Sequence, residues 1–569
     1  MSAPNRTTDR EAQAHVEIGH TEVEPSVARA LSLGFVLLLL VVPLVQAGLD
    51  LASHRRGERS SALPSVLDLL HVLPGLPAAH REAGGGLRGL LAANRRLLAG
   101  MTAHERSLED ASFLNAGLVS PVRLLMSGAL RQGTEDSYLG RPGWLFFRPG
   151  VDHLTGPAFH DARHVESRRD AAPSWDAVPG IDPTPAILQL HRDLAERDIA
   201  LVVLPVPGKA AIHPEQLASG SFDAALQNPS TSDLLATLAE SGVTVVDLRA
   251  ELFALARGDE VFLRTDSHWS PIAVELAAAR LATTLRDLGV RTGTARLRGD
   301  AATVDGEGDI VRMLSLPEEQ DRFPAQRIEL RRVSTAASET WRPSREAEVL
   351  LLGDSFTNVF SLPSLGWGED AGLAEQLALE LEAPVDRIAV NAGGAVESRR
   401  VLHRELASGR DRLADKKVVV WELAERELSF GDWEVLPLVL GEPRPSRFVT
   451  APDGWSGVVE ATVLAASVVP RPRSVPYADH VMTLHLADPV STDLMNDEPA
   501  TELLAHVHGM RDHRWTPAAR LRPGQRVKMT LRPWAEVEDE LGGLSRSELD
   551  DEDLLFEEPL WIEDLEVLR

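Results

Sequence analysis

Five short apolar runs recur between residues 199 and 424: IALVVLPV (199–206), VTVVDL (243–248), EVLLLGDS (348–355), RIAVNAGG (387–394) and KVVVWELA (417–424). Each is apolar on consecutive positions, not alternate ones, so a strand made from it must be covered on both faces. Helical patterns fall between the runs, near 185–196, 231–241, 270–288, 371–382 and 396–408. Buried strands alternating with helices predict an α/β domain built on a parallel sheet flanked by helices. In such a sheet the carboxyl ends of the strands share one edge, where ligands gather.

Composition shifts mark the flanks. Residues 1–29 are polar and mixed in charge, and are expected to be a disordered cytoplasmic segment. Residues 30–49, ALSLGFVLLLLVVPLVQAGL, carry no charge, and twenty such residues can cross a bilayer. An uncleaved transmembrane signal-anchor is expected, although Val45 and Ala47 also offer a small-residue cleavage pattern. Arg29 lies on one side and Arg55, Arg56 and Arg59 on the other, so flanking charge does not set the orientation. Residues 50–134, interrupted by LPGLP and AGGGLRG, predict a helical stalk or accessory segment. The α/β domain is expected over 135–445. Beyond GEPRPSR (441–447) short β-like runs are split by Pro, Gly and Asp, which predicts a small β domain over 446–569, a sandwich or OB-like barrel. Between Glu536 and Glu566 stand fourteen acidic residues and one basic residue, Arg546. The expectation there is a solvated acidic tail, with a calcium site as the alternative.

The net charge of −27 argues against nucleic acid and anionic headgroups as partners. The chain has no cysteine, which excludes disulfides, thiolate chemistry and Cys-ligated metals. No cofactor is indicated. Lysine occurs only at Lys209, Lys416, Lys417 and Lys528, which makes Lys209 conspicuous.

Four of the five runs end in groups that could do chemistry: Ser355 in GDSF, Asn391 and Gly393 in NAGG, Glu422 and Arg426 after VVVW, and Lys209 after LVVLPVPG. Ser355 is either a nucleophile or the N-cap of the next helix. As a nucleophile at a strand-to-helix turn it would have its own peptide N–H near a helix N-terminus, suited to an oxyanion. A serine needs a base, and the base an orienter. LRTDSHWSP (263–271) supplies both: in an extended segment Asp266 and His268 leave on one face, and Asp266 would hold one imidazole tautomer while the other nitrogen takes the Ser355 proton. The alternatives are an Asx-turn at Asp266 with a surface histidine, or a metal pair, for which no matching Cys or His cluster is present.

Taken in order, GWLFF, VPVPGK, TDSHW, GDSF and NAGG resemble the alginate O-acetyltransferase family (AlgX/AlgJ-type) of the SGNH-hydrolase-like superfamily. The resemblance covers roughly 135–430. Ordinary SGNH hydrolases place the serine first; here Asp266 and His268 precede Ser355, the permuted order of the alginate-type family. The resemblance implies Ser355 as acyl-accepting nucleophile, His268 as general base and Asp266 as orienter. It implies an oxyanion hole from the Ser355 N–H with Asn391 or the Gly393 N–H. It further implies an inner-membrane protein whose catalytic domain is periplasmic, a polysaccharide acceptor, and an acyl donor supplied by a membrane-bound O-acyltransferase. The resulting expectation is a ping-pong O-acetyltransferase of a bacterial exopolysaccharide. The alternatives are a carbohydrate acetylesterase with the same triad, or a non-catalytic glycan-binding member of a polysaccharide assembly complex. Lys209 could contact an anionic sugar or donor group. Arg426 could do the same or pair with Glu422. Trp269 could stack on a sugar or pack the loop. The C-terminal segment resembles the carbohydrate-binding modules of some members only in size and position.

Overall fold

The computed structural model describes residues 25–55, scattered positions from 63 to 120, and residues 121–569 apart from 172–179, 315, 317–319, 443–447, 453, 473, 474, 476, 491–499, 550–553, 555, 556 and 569. The expected disordered segment thus lies almost wholly outside the described residues. The chain divides into two compact units at residue 120. In the first, helix α1 (Pro25–Arg55) is long and apolar enough to cross a membrane. Its leucines and valines along 31–44, apart from half-buried Val42, are exposed.

The second unit holds a five-stranded sheet of β1 (Ala200–Val206), β2 (Thr244–Val245), β3 (Val349–Gly353), β4 (Asp386–Ala389) and β5 (Val418–Ala424). The spatial order is β2-β1-β5-β3-β4, and every pairing is parallel. The apolar runs are continuous because alternate residues enter two different cores. Val202, Leu204, Val349, Leu351, Val418 and Val420 face one side; Leu201, Val203, Leu350, Leu352, Val419 and Trp421 face the other. Helices α2 (Pro183–Ala195), α3 (Thr231–Glu240) and α6 (Glu397–Ala407) supply the second core, while α4 (Pro271–Asp287) and α5 (Leu373–Leu381) supply the first. Helix α4 starts on Pro271 and buries Val274, Ala277, Ala278, Leu281 and Leu285, the 3.6-residue stripe that an amphipathic helix turns to a core. An antiparallel hairpin, Leu297–Gly306 with Gln326–Thr335, lies between α4 and β3; the sequence patterns did not predict it.

The C-terminal part is a closed barrel of β6 (Gly457–Ala466), β7 (His480–Val490), β8 (Glu502–Arg511), β9 (Arg526–Pro533) and β10 (Leu560–Val567). The order β8-β10-β9-β6-β7 closes through β7–β8 pairing, which removes exposed edges. The acidic residues described between 536 and 566 are mostly solvent-exposed, as expected, but the segment is not a tail. Strand β10 pairs with β9 and β8, and half-buried Glu548 makes ion pairs with Arg404 and Arg546. Strand β10 buries Leu560, Trp561 and Ile562 and leaves Glu563, Asp564 and Glu566 exposed, so a short apolar start is followed by an acidic end.

Candidate active site

At the carboxyl end of β3 the chain turns from Gly353 through Asp354 into a short helix, Ser355–Asn358. The turn is tight: a Cβ on Gly353 would lie 2.2 Å from Thr357 Oγ1 and 2.8 Å from Glu422 Oε2, so only glycine fits. The N-cap is Asp354, whose carboxylate accepts the Phe356 N–H at 2.8 Å. Ser355 is therefore the first helical residue and not the cap. Its peptide N–H has no acceptor among the described residues, as expected at a helix start.

Residues 261–270 form a compact loop clamped by Leu263 N–H to His268 O and Ser270 N–H to Val261 O. Here the expected extended geometry is corrected. Asp266 and His268 share a face because the Asp266 carboxylate closes an Asx-turn on the His268 N–H at 2.9 Å. The same oxygen meets His268 Nδ1 at 2.6 Å, and His268 Nε2 lies 2.8 Å from Ser355 Oγ. The turn and the orienting bond thus belong to one carboxylate. Its second oxygen accepts Trp367 Nε1–H at 2.7 Å and the Asp309 N–H at 2.9 Å. Asp266 is 1% exposed. Burial opposes its ionisation, but the His268 charge and these hydrogen bonds hold it well below the usual carboxylate range. With Asp266 ionised, Nδ1 is the donor and Nε2 is free to accept from Ser355. Burial alone would lower the His268 pKa; the Asp266 carboxylate, with help from Asp309, raises it above the ordinary value.

Asp309 was not identified from the sequence. It accepts the Ser267 N–H at 2.7 Å and the Ser267 hydroxyl, and sits 3.8 Å from His268 Nδ1. Burial, then the Asp266 charge, pushes its pKa up to about 6. Trp367 was missed too, since nothing local in SLGWGED ties it to a residue a hundred positions away. Asp266, His268 and Asp309 are the one group among the described residues with metal-ligand spacing, but their facing atoms are already engaged in the hydrogen bonds above.

A cavity of about 330 Å³ opens over Ser355. Phe147, His268, Asn391, Ala392, Gly394, Arg426, Phe430 and the barrel's Tyr477 line it. Asn391 Oδ1 accepts from Asn358 Nδ2 at 3.0 Å, and the Asn391 amide nitrogen has no acceptor among the described residues. Three expectations are corrected. The Gly393 N–H is bonded to Val390 O at 3.1 Å and is unavailable to an oxyanion. Lys209 is buried and gives its ammonium to the carbonyls of Leu145 and Arg264 at 2.8 and 3.1 Å. It therefore cannot reach a ligand in the cavity. Burial lowers its pKa to about 7 against the pull of Asp266 and Asp309. Trp269 is fully buried, with Nε1–H on Phe356 O at 3.0 Å, so it packs the loop. Arg426 does line the cavity, but its carboxylate neighbour is Glu427 at 3.5 Å and not Glu422. Its guanidinium stands 5.3 and 5.4 Å from the rings of Phe147 and Phe356, a cation–π seat that keeps it aimed.

The family described as "SGNH hydrolase-like domain, acetyltransferase AlgX" matches residues 138–425, just over half of the chain. The chain belongs to this family. A protein of Pseudomonas aeruginosa named "Probable alginate O-acetylase AlgJ" is 25% identical over 315 residues, covering 52% of this chain and 71% of that protein. Its namesake from Azotobacter vinelandii is 32% identical over 125 residues, covering 22% and 32%. Among solved structures, the O-acetyltransferase domain of Pseudomonas putida AlgJ matches with TM-score 0.39 and 24% identity, covering 52% of this chain and 93% of that domain. Pseudomonas aeruginosa AlgX matches with TM-score 0.36 and 16% identity, covering 64% and 84%.

Proposed function

We propose that this AlgX-family chain is an extracytoplasmic O-acetyltransferase that passes an acetyl group through Ser355 to a hydroxyl of a bacterial exopolysaccharide. The observation that carries the proposal is the unbroken line from Asp266 Oδ1 to His268 Nδ1 at 2.6 Å and from His268 Nε2 to Ser355 Oγ at 2.8 Å, opening on one cavity. In the first half-reaction His268 takes the Ser355 proton as Oγ attacks the donor's acetyl carbonyl. The imidazolium, held by Asp266, returns the proton to the departing oxygen as the donor bond breaks. In the second, His268 deprotonates a sugar hydroxyl, which attacks the acetyl-serine, and the proton returns to Oγ. The Ser355 N–H and the Asn391 amide bind the oxyanion at both stages.

Helix α1 anchors the chain in the inner membrane in a single pass with the second unit outside, beside a membrane-bound O-acyltransferase that supplies the acetyl group. The relatives' names specify alginate. Arg426 is the cavity's cation for an anionic sugar, although the −27 net charge sets the protein as a whole against a polyanion.

The test is acetyl release from a chromogenic ester by the full chain, followed by acetyl transfer to oligosaccharides. Turnover lost in Ser355→Ala and His268→Ala, with acetylated sugar formed by the wild type, is the expected result. Equal turnover in all three proteins overturns the assignment of Ser355, and release to water alone in the presence of every acceptor makes the enzyme an esterase.

A further inference from the structure

The barrel does more than accompany the α/β domain. Leu362 and Leu365, a few residues past Ser355, are buried in the barrel's core beside Val459, Leu484 and Trp534. Tyr477, just before β7, lines the cavity. Between the short helix Glu538–Leu541 and the short strand Arg546–Ser547 runs the segment 543–545. Leu544 is in the barrel core, and the Ser545 carbonyl accepts the Val481 N–H at 2.9 Å. From this anchored segment the Gly543 carbonyl reaches across and accepts the Asn391 N–H at 3.1 Å. The approach is close: a Cβ on Gly543 would lie 2.8 Å from Asn358 Nδ2 and 3.0 Å from Leu362 Cδ1. Asn358 is the residue whose amide holds Asn391 Oδ1.

The loop that carries Asn391 needs such a hold. Its next residue, Ala392, has φ +57°, a left-handed conformation that costs a non-glycine residue energy and persists only when the surroundings enforce it. The barrel meets the loop at Asn391, through one backbone bond whose acceptor is fixed from the barrel side.

We propose that the C-terminal barrel is part of the reaction site, with Gly543 as a positioning residue whose carbonyl holds Asn391 at the oxyanion. The inference rests on the acyl-enzyme reading above. It identifies a role for the barrel that glycan binding alone does not include: without the Gly543 contact, the acetyl group would be accepted slowly even from a donor that never touches the barrel.

The experiment is pre-steady-state turnover of a small chromogenic acetyl ester by the full chain, comparing wild type, Asn391→Ala, Gly543→Ala and the double variant. A burst in the wild type reports acylation of Ser355; no turnover at all overturns the acyl-enzyme reading and this inference with it. Given a burst, Gly543→Ala is expected to slow acylation by about tenfold to a hundredfold, less than the roughly 10²–10³-fold of losing an oxyanion donor outright, with the ester KM little changed. The double variant should be no slower than Asn391→Ala, because coupled residues are not additive. Wild-type acylation in Gly543→Ala, or losses that multiply in the double variant, overturn the proposal. Should Gly543→Ala lack a cooperative thermal transition, Leu544→Ala, which loosens the segment's hold in the barrel core without adding a Cβ at 543, takes its place under the same non-additivity criterion.

Discussion

Two pairs of buried carboxylates flank Ser355, and their surroundings separate them. On the histidine side, Asp266 receives His268, Trp367 Nε1 and two backbone N–H groups. It stays ionised, and the proton demand falls on Asp309. On the strand side, among the described residues, Glu422 Oε2 receives only the Asp354 N–H at 3.1 Å and the Thr357 hydroxyl at 2.9 Å, and buried Oε1 has no partner. Burial, then the Asp354 charge, raises the Glu422 pKa well above its ordinary value. The same chemical group thus acts as a charge where donors converge on it, and as a neutral brace under the Gly353–Asp354 turn where they do not.

The largest expected effect comes from Asp266→Asn, which keeps the shape but removes the charge that favours the reactive tautomer. The kcat for acetyl-ester turnover should fall by roughly 10³–10⁴-fold. A loss under about tenfold would erase the distinction between the two pairs. Next is the pH profile. His268 must be neutral to act as base, and its folded pKa lies above 6.5. Activity should therefore fall as pH drops through a midpoint above that value. Asp309 contributes to the raised pKa, so Asp309→Asn should move this acid limb to lower pH. The difference should be greatest above pH 6, where Asp309 is ionised. A limb that stays in place, or moves up, would show that Asp309 serves only to hold Ser267.

The smallest effect is expected on the strand side. A carboxyl whose folded pKa is raised contributes stability at low pH that is lost as pH rises through that pKa. Glu422→Gln mimics the neutral acid and removes the loss. It should leave kcat nearly unchanged and raise Tm at pH 8 relative to the wild type. A calorimetric scan at pH 5 and pH 8 checks the sign: a variant that melts lower at pH 8 would mean that Glu422 is ionised and works as a charge after all.

The features legible in the sequence were those written in local pattern. Consecutive apolar residues require a strand buried on both faces, and β1, β3 and β5 fall within two residues of the runs that predicted them. Ser355 stood out because it sits at the end of such a run, and Asp266 and His268 because they stand two apart in TDSHW. Their mutual distances did not, because 87 residues separate His268 from Ser355 and only the sheet order β5-β3-β4 and the loop at 261–270 bring them together. Lys209 was conspicuous by rarity, yet its exposure depended on Trp144 and Phe146, which cover it from another segment. The barrel strand β10 was hidden by the acidic end that follows its short apolar start.

What the sequence by itself determined was the kind of chain: an apolar helix followed by an α/β domain of the AlgX family, with a serine at a strand end and an aspartate and histidine two apart in another segment. What only the tertiary structure decided was which groups those residues meet. Asp309, Trp367 and Gly543 reach the site from 43, 101 and 152 residues away from the partners they bind, Asp266, Asp266 and Asn391. Protonation and hydrogen bonding depend on neighbours in space within a few ångströms, and no local spacing in the chain encodes a neighbour at such a separation.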